Sequence, residues 1–204
     1  AVFFHDTGLT IDQGEEHGAA SLNLFKAWAG KHPEISEITD ERAEMAILLH
    51  DDKSYKLNLN RTKPLSPADT LTILSMADDL DAFGFIGIAR YTEIYLLRGA
   101  SPTNLPEKVA LNLESRWKFM ETLLKQIPAL YNIHYERYQT THQFFVKWLN
   151  SSKVASEYAL FANVVQRVII DEQGNWKTLS SALNQKSWSN LSATVNGIIS
   201  EVSR

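Results

Sequence analysis

Histidines and carboxylates recur in the first half of this 204-residue chain, and both residue types bind metal ions. The candidates by type are His5, Asp6, His17 and His50, with the acids Asp78, Asp79 and Asp81 on a later predicted helix. Neutral imidazole and carboxylate together suit Zn, Mn, Fe, Ni or Co, and carboxylate also suits Mg. A His-Asp dipeptide is uninformative alone, so the prediction of a metal site depends on the order and spacing of these residues.

Helices are the elements predicted to position these residues. His50 follows the apolar segment 46–49 directly. Asp78 lies in a second predicted helix, which has Ser66 as its N-cap and Pro67 as its first residue and ends near Ala82. Ligands at the ends of separate helices can converge on one cavity of a bundle. A helical bundle would therefore allow such residues to share one site.

The whole chain has the pattern of an all-α protein. Apolar residues recur at helical spacing, and no Asn-Gly or Asp-Gly turn joins two alternating runs. Predicted helices cover about 17–31, 39–49 and 67–82, a long segment from Pro106 that Pro128 breaks or kinks, about 154–170, and much of the last thirty residues. The polar stretch 51–66 is predicted as a loop. Gly84 and Gly87 lie inside an apolar run, which favours close packing rather than a break.

An aromatic stripe and the overall composition further limit the kinds of protein that this sequence can encode. The stripe comprises Trp117, Phe144, Phe145 and Trp148 and is expected in the core. The chain has no cysteine, which excludes disulfides, thiolate zinc sites and iron–sulfur clusters and is compatible with the cytoplasm, the predicted location. A net charge of −4 makes nucleic acid an unexpected partner. No apolar run approaches the ~20 residues of a membrane helix.

Four segments in order carry a resemblance to a known family. They are Phe4-His5-Asp6, Glu16-His17 followed by Gly18-Ala19-Ala20, Ala46-Ile47-Leu48-Leu49-His50, and the run from Ala77 to Arg90, which reads ADDLDAFGFIGIAR. This order resembles the HD-domain superfamily of metal-dependent phosphohydrolases, particularly its small bacterial members. The similarity covers about 1–99, and 77–90 is its most specific part.

The resemblance implies a helical HD-domain bundle over 1–99, with 100–204 as a C-terminal helical extension packed on it. It also implies that His5, Asp6 and Asp78 bind a divalent metal ion. The family's first ligand is a histidine one helix before the His-Asp pair. Since Ala1 begins like the end of an apolar element, we expect that helix upstream of the sequence given.

By the same resemblance, the function is metal-dependent hydrolysis of a phosphoester in a nucleotide or related small phosphate. One or two ions of Mn, Fe, Co, Ni, Zn or Mg would activate water. Asp6, His17 and His50 are the candidate catalytic residues, and His17 and His50 either bind a second ion or contact substrate. Lys53, Lys56 and Arg90 are candidate phosphate-binding residues.

Each assignment has a structural alternative. His5 and Asp6 could be a hydrogen-bonded pair near a helix end, and Asp78 a surface charge. His17 could simply lie in a first helical turn, and His50 could be a cation at a helix C-terminus. Lys53 and Lys56 could belong to a solvated loop, and Arg90 could pair with Asp81. The chain as a whole could be a catalytically inactive HD-fold module for binding or regulation.

Overall fold

The protein is all-α throughout the part described by the computed structural model, namely residues 1, 3–12, 17–33, 41–50, 70–151 and 155–203. Nine α-helices, one 3-10 helix and one π-helical segment lie in these ranges, and none of their residues is in a strand. The all-α prediction is therefore confirmed for these residues. Two compact units divide the chain, Ala1–Asp79 and Leu80–Arg204.

The described part of the first unit contains one short helix and three longer ones. They are the 3-10 helix Thr7–Thr10, α1 His17–Ala29, α2 Glu41–Leu49 and α3 Thr70–Asp81, which ends just beyond the unit. Ala46, Leu71 and Leu74 form a buried apolar cluster between α2 and α3. The predicted N-cap Ser66, Pro67 and the predicted loop 51–66 lie outside the described residues.

Two glycines allow α1 to lie directly against its neighbours. A Cβ on Gly18 would lie 2.5 Å from the carbonyl oxygen of Leu48 on α2. A Cβ on Gly8 would lie 2.1 Å from the carbonyl oxygen of His17. Because side chains do not tolerate such distances, both contacts require glycine. The first turn of α1 is consequently held against both the 3-10 helix and the end of α2.

Six further α-helices lie among the described residues of the second unit. They are α4 Phe85–Leu97, α5 Leu105–Leu124, α6 Pro128–Leu149, α7 Ala155–Val165 continued by the π-helical Gln166–Asp171, α8 Trp176–Asn184 and α9 Ser192–Val202. Prolines lie in the first turns of α5 and α6, where their missing N–H groups need no partner. The predicted helix start at Pro106 and the break at Pro128 are confirmed.

The aromatic stripe is buried in the second unit, as predicted. Trp117, Phe144, Phe145 and Trp148 are each at most 6% exposed. Their rings contact further aromatic residues: the Trp117 ring stacks on Tyr138, and that of Trp148 stacks on Tyr158. These contacts join α6 to α5 and α7.

The prediction for Gly84 is wrong, whereas that for Gly87 is confirmed. The helix is interrupted between Asp81 and Phe85, because Gly84 has φ +90° and ψ −167°. Essentially only glycine adopts this conformation. A Cβ on Gly87 would lie 2.0 Å from the carbonyl oxygen of Ala82, so this glycine serves close packing. Apolar periodicity alone did not distinguish an interruption of the helix from a tight contact.

Among the described helices, none combines the length and the apolar character needed to cross a bilayer.

Candidate functional site

The His5-Asp6 pair lies in a turn that leads into the 3-10 helix. The backbone N–H of His5 donates to the carbonyl of Ala1 at 3.1 Å, and Asp6 occupies the N-cap position. The hydroxyl of Thr7 donates to the carbonyl of Phe4 at 2.8 Å, which closes the turn. Both side chains are partly buried, at 19% and 36% exposure, so they remain accessible to a small ligand.

His17 and His50 meet from two different helices. His17 is the first residue of α1, and His50 directly follows the last residue of α2. Their Nε2 atoms lie 3.1 Å apart, and the residues are only 4% and 1% exposed. Asp6 Oδ1 lies 3.5 Å from His17 Nε2 and 3.3 Å from His50 Nε2. Three potential ligand atoms therefore form a small triangle.

A backbone contact orients the ring of His50. Its Nδ1 lies 2.8 Å from the carbonyl oxygen of Ile47. Because a carbonyl only accepts hydrogen bonds, Nδ1 carries the proton and donates it. Its Nε2 faces His17 and Asp6, where it donates a hydrogen bond when the ring is doubly protonated and offers a lone pair to a cation when the ring is neutral. Such a backbone contact is how proteins commonly fix the tautomer of a metal-binding histidine.

His5 and Asp78 lie on the other side of the Asp6 carboxylate. His5 Nε2 is 3.3 Å from Asp6 Oδ2 and 3.8 Å from Asp78 Oδ1, the latter residue lying in the last turn of α3. His5, Asp6 and His50 each present a ligand atom within 4.8 Å of the others. The structure thus brings together all five residues singled out as candidate ligands. Asp6 lies at the centre, with one oxygen toward each side.

The surrounding imidazoles keep the Asp6 carboxylate ionised. Partial burial raises the pKa of Asp6, but hydrogen bonds from His17, His5 and His50 outweigh this effect. The pKa consequently lies well below the usual range of an aspartate. Asp6 is therefore negatively charged wherever the protein is folded in neutral solution, which is the form that binds a cation.

The donor set fits a divalent cation by chemistry and by spacing. Two ligand atoms bound to one tetrahedral, zinc-like ion at about 2.0–2.1 Å lie roughly 3.3–3.4 Å apart. The three distances among His17 Nε2, His50 Nε2 and Asp6 Oδ1 are 3.1, 3.5 and 3.3 Å. Two carboxylates and neutral imidazoles also supply the charge that a doubly positive ion requires. These residues can therefore hold such an ion without a large rearrangement.

The candidate phosphate-binding residues are not part of this cluster as described. Lys53 and Lys56 lie outside the described residues. Arg90 belongs to the second unit and forms an ion pair with Asp81, the alternative considered from the sequence. A role for these three residues in substrate binding stays a prediction.

Two buried serines that the sequence analysis did not single out contact the backbone of the site. Ser21 donates to the carbonyl of His5 at 2.6 Å, and Ser75 donates to the carbonyl of His50 at 3.0 Å. The signal available in the sequence was their spacing from His17 and Asp78, which is four and three residues. Such spacing places each serine on the same helix face as its neighbouring candidate ligand.

Comparison with known proteins adds no assignment. No protein-family model matches the chain, and neither a curated protein nor a solved structure matches it. Function is therefore inferred from the geometry of the cluster and from the motif order in the sequence.

Proposed function

We propose that this protein is a metal-dependent phosphohydrolase of the HD-domain type that cleaves a phosphoester of a nucleotide or related small phosphate. In this proposal residues 1–99 correspond to the HD-type core and 100–204 are a helical extension. The observation that carries the proposal is the position of the Asp6 carboxylate. One of its oxygens faces His17 and His50, and the other lies next to His5.

The arrangement around Asp6 favours two ions rather than one. A first ion would be held by His5, Asp78 and Asp6, and a second by His17, His50 and Asp6. Sites with two metal ions are common in hydrolytic enzymes such as phosphatases and nucleases. With one ion only, His17 and His50 would remain available to contact the substrate phosphate, the alternative considered from the sequence.

A bound divalent cation supplies Lewis acidity, which polarises a phosphoryl oxygen and allows water to ionise near neutral pH. Hydrolysis adds the oxygen of water to phosphorus, breaks the phosphoester bond and places a proton on the leaving oxygen. In the alternative with one ion only, His17 or His50 would not bind metal and, as an imidazolium, would supply that proton. Asp6 would orient these imidazoles and balance their charge.

The proposed substrate class follows from the motif order and from cationic residues near the cluster in sequence. Lys53, Lys56 and Arg90 are the residues proposed to bind phosphate oxygens, as cationic side chains do through charge-assisted hydrogen bonds. The proposal names nucleotides and related small phosphates as a class. A panel of such compounds is consequently the appropriate first assay.

The test uses the longest natural form of the protein. We expect stoichiometric transition metal after purification or reconstitution, and release of phosphate from at least one nucleotide with Mn, Co, Ni, Fe, Zn or Mg added. His5→Ala should abolish both metal retention and hydrolysis. The matched control is His142→Ala, because His142 pairs with Glu114 in the second unit and has no role in the proposed site.

Three outcomes decide between the hypotheses. Metal binding with hydrolysis that His5→Ala removes supports the enzyme. Metal binding without hydrolysis of any phosphate in the panel would favour the inactive binding or regulatory module. Absence of metal binding by the unmodified protein, at concentrations that load comparable histidine–carboxylate sites, would contradict the proposal altogether.

A further inference from the structure

We propose that Ser21 and Ser75 are positioning residues that connect the proposed ligands to one another through the backbone. This inference rests on the proposed function, because it assigns these serines to the same metal centre. Each serine lies about one turn from a ligand on its own helix and donates to the backbone carbonyl of a ligand from another segment. Ser21 thereby connects the helix of His17 to the backbone of His5, and Ser75 connects the helix of Asp78 to the backbone of His50.

Ser21 joins α1 to the turn that carries His5 and Asp6. Its hydroxyl donates to the carbonyl of His5 at 2.6 Å and accepts the backbone N–H of Gly8 at 2.7 Å. The side chain is completely buried. One hydroxyl thus satisfies a carbonyl and an N–H on both sides of Asp6, and it holds the turn in register with His17.

Ser75 performs the corresponding task for His50. Its hydroxyl donates to the carbonyl of His50 at 3.0 Å, and this serine is also completely buried. Asp78 follows three residues later in α3, on the same face of the helix. The end of α2 is thereby fixed relative to the helix that supplies Asp78.

The choice of partner distinguishes these serines from ordinary helical hydroxyls. A serine or threonine within a helix usually donates to the carbonyl four residues earlier on its own helix. Thr92 is an example, since its buried hydroxyl donates to Ile88 at 2.8 Å. Ser21 and Ser75 instead donate across 16 and 25 residues of sequence, in both cases to a carbonyl of a proposed ligand. Their hydroxyls therefore fix the site rather than the helix.

Metal affinity is sensitive to such contacts. Removal of a group that orients a ligand typically lowers metal affinity by about 10–100-fold, because the ligand then spends time in non-binding positions. We expect a loss of this size for Ser21→Ala and for Ser75→Ala. Thr92→Val is the matched control, because it removes a buried hydroxyl from the second unit and should leave metal affinity unchanged.

The experiment measures Mn²⁺ affinity by calorimetry and the visible absorption of bound Co²⁺ for the unmodified protein and the three variants. Circular dichroism without metal establishes that each variant is folded. Co²⁺ absorption reports the geometry of its ligands, so altered bands in the two alanine variants would show misplacement of ligands. A purely structural role would lower the melting temperature while leaving the bands and the affinity of the folded protein intact.

The outcomes separate this inference from the function on which it rests. If the unmodified protein binds neither Mn²⁺ nor Co²⁺, the proposed function fails and the inference fails with it. If it binds both, and the alanine variants bind equally well with unchanged bands, only the inference is overturned. It is likewise overturned if Thr92→Val loses as much affinity, or if both alanine variants are unfolded while Thr92→Val is folded.

Discussion

The Nε2 atoms of His17 and His50 lie 3.1 Å apart, although 33 residues separate them in the chain. The contact exists because Gly18 lets the first turn of α1 approach the carbonyl of Leu48, two residues before His50. Two bare lone pairs at this distance would repel, so a proton or a cation must lie between the rings. The Asp6 carboxylate, at 3.5 and 3.3 Å from the two nitrogen atoms, offers the negative charge that favours either one.

Asp6→Ala should remove the stabilisation that metal gives to the folded protein. A ligand present at 100 times its dissociation constant stabilises a folded protein by about 2.7 kcal/mol. We expect Mn²⁺ to raise the melting temperature of the unmodified protein and to leave that of Asp6→Ala unchanged. The measurement compares each protein with and without metal, so any change in the stability of the metal-free form cancels.

Asp171→Asn is the control for this substitution, since Asp171 pairs with Gln166 in the second unit. It should keep the full metal-dependent rise. A rise that persists undiminished in Asp6→Ala would rule out Asp6 as a ligand.

Gly18→Ala should destabilise the first unit and separate His17 from His50. The added Cβ would lie 2.5 Å from the carbonyl oxygen of Leu48, which belongs to the backbone and has little freedom to move. Overpacking of this kind typically costs about 1–3 kcal/mol. Urea unfolding should show the loss of stability, and Mn²⁺ titration should show weaker binding by the folded fraction.

Gly30→Ala provides the comparison at the other end of α1. There the nearest atom to an added Cβ is 3.4 Å away, so no overlap arises. We expect this variant to be as stable as the parent or more stable by about 0.4–1 kcal/mol, because alanine restricts the unfolded chain. Equal effects of the two substitutions would contradict the packing argument.

Gly84→Ala should destabilise the second unit through both backbone strain and crowding. A conformation with φ +90° and ψ −167° costs a non-glycine residue of order 1–3 kcal/mol. The new Cβ would also lie 2.9 Å from Glu201 Oε1, and Glu201 accepts the backbone N–H of Ile86 at 2.7 Å in the first turn of α4. Chemical denaturation should therefore show a clear loss of stability.

Gly99→Ala measures the cost of backbone strain to stability without any crowding. Gly99 has φ +77°, and no atom lies within 4 Å of the position of an added Cβ. The substitution should cost only the strain of a left-handed residue, about 1–2 kcal/mol. A loss for Gly84→Ala no larger than that for Gly99→Ala would mean that the contact with Glu201 is unimportant.

Glu157→Gln should reduce stability near neutral pH and have progressively less effect in acid. The Glu157 carboxylate accepts the backbone N–H groups of Asn190, Leu191 and Ser189 before α9. Desolvation raises the pKa of Glu157, but these hydrogen bonds outweigh it and hold the pKa below its usual 4.5. A lowered pKa means that the charged form stabilises the fold above about pH 4.5 and that this contribution disappears as pH falls through the lowered value.

The measurement is the difference in urea midpoint between Glu157→Gln and the parent from pH 7 to pH 3. It should be largest at pH 7 and should narrow below the usual pKa of glutamate. Glu172→Gln serves as control, because Glu172 pairs only at 3.6 Å with Arg167 on the surface. A difference that stays constant over the whole range would show that the charge of Glu157 has no part in the effect.

Local features of the sequence predicted the helical class and several helix boundaries. Pro106 and Pro128 lie in first turns as expected, and Trp117 and Phe145 are buried as their spacing indicates. These features were accessible because helix starts and apolar faces depend on residues a few positions apart. The residue types at His5, Asp6, His17, His50 and Asp78 predict metal binding, which stays a prediction.

The contacts that assemble the candidate site were not accessible from local patterns. His50 reaches Asp6 across 44 residues, and Ser75 reaches the carbonyl of His50 across 25, so both contacts depend on how helices pack. Gly84 is a similar case, since its neighbours in sequence are apolar like those of a helix interior, whereas its φ of +90° interrupts the helix. Residue spacing along a helix specifies which side chains share a face, whereas only packing in three dimensions specifies which face meets which partner.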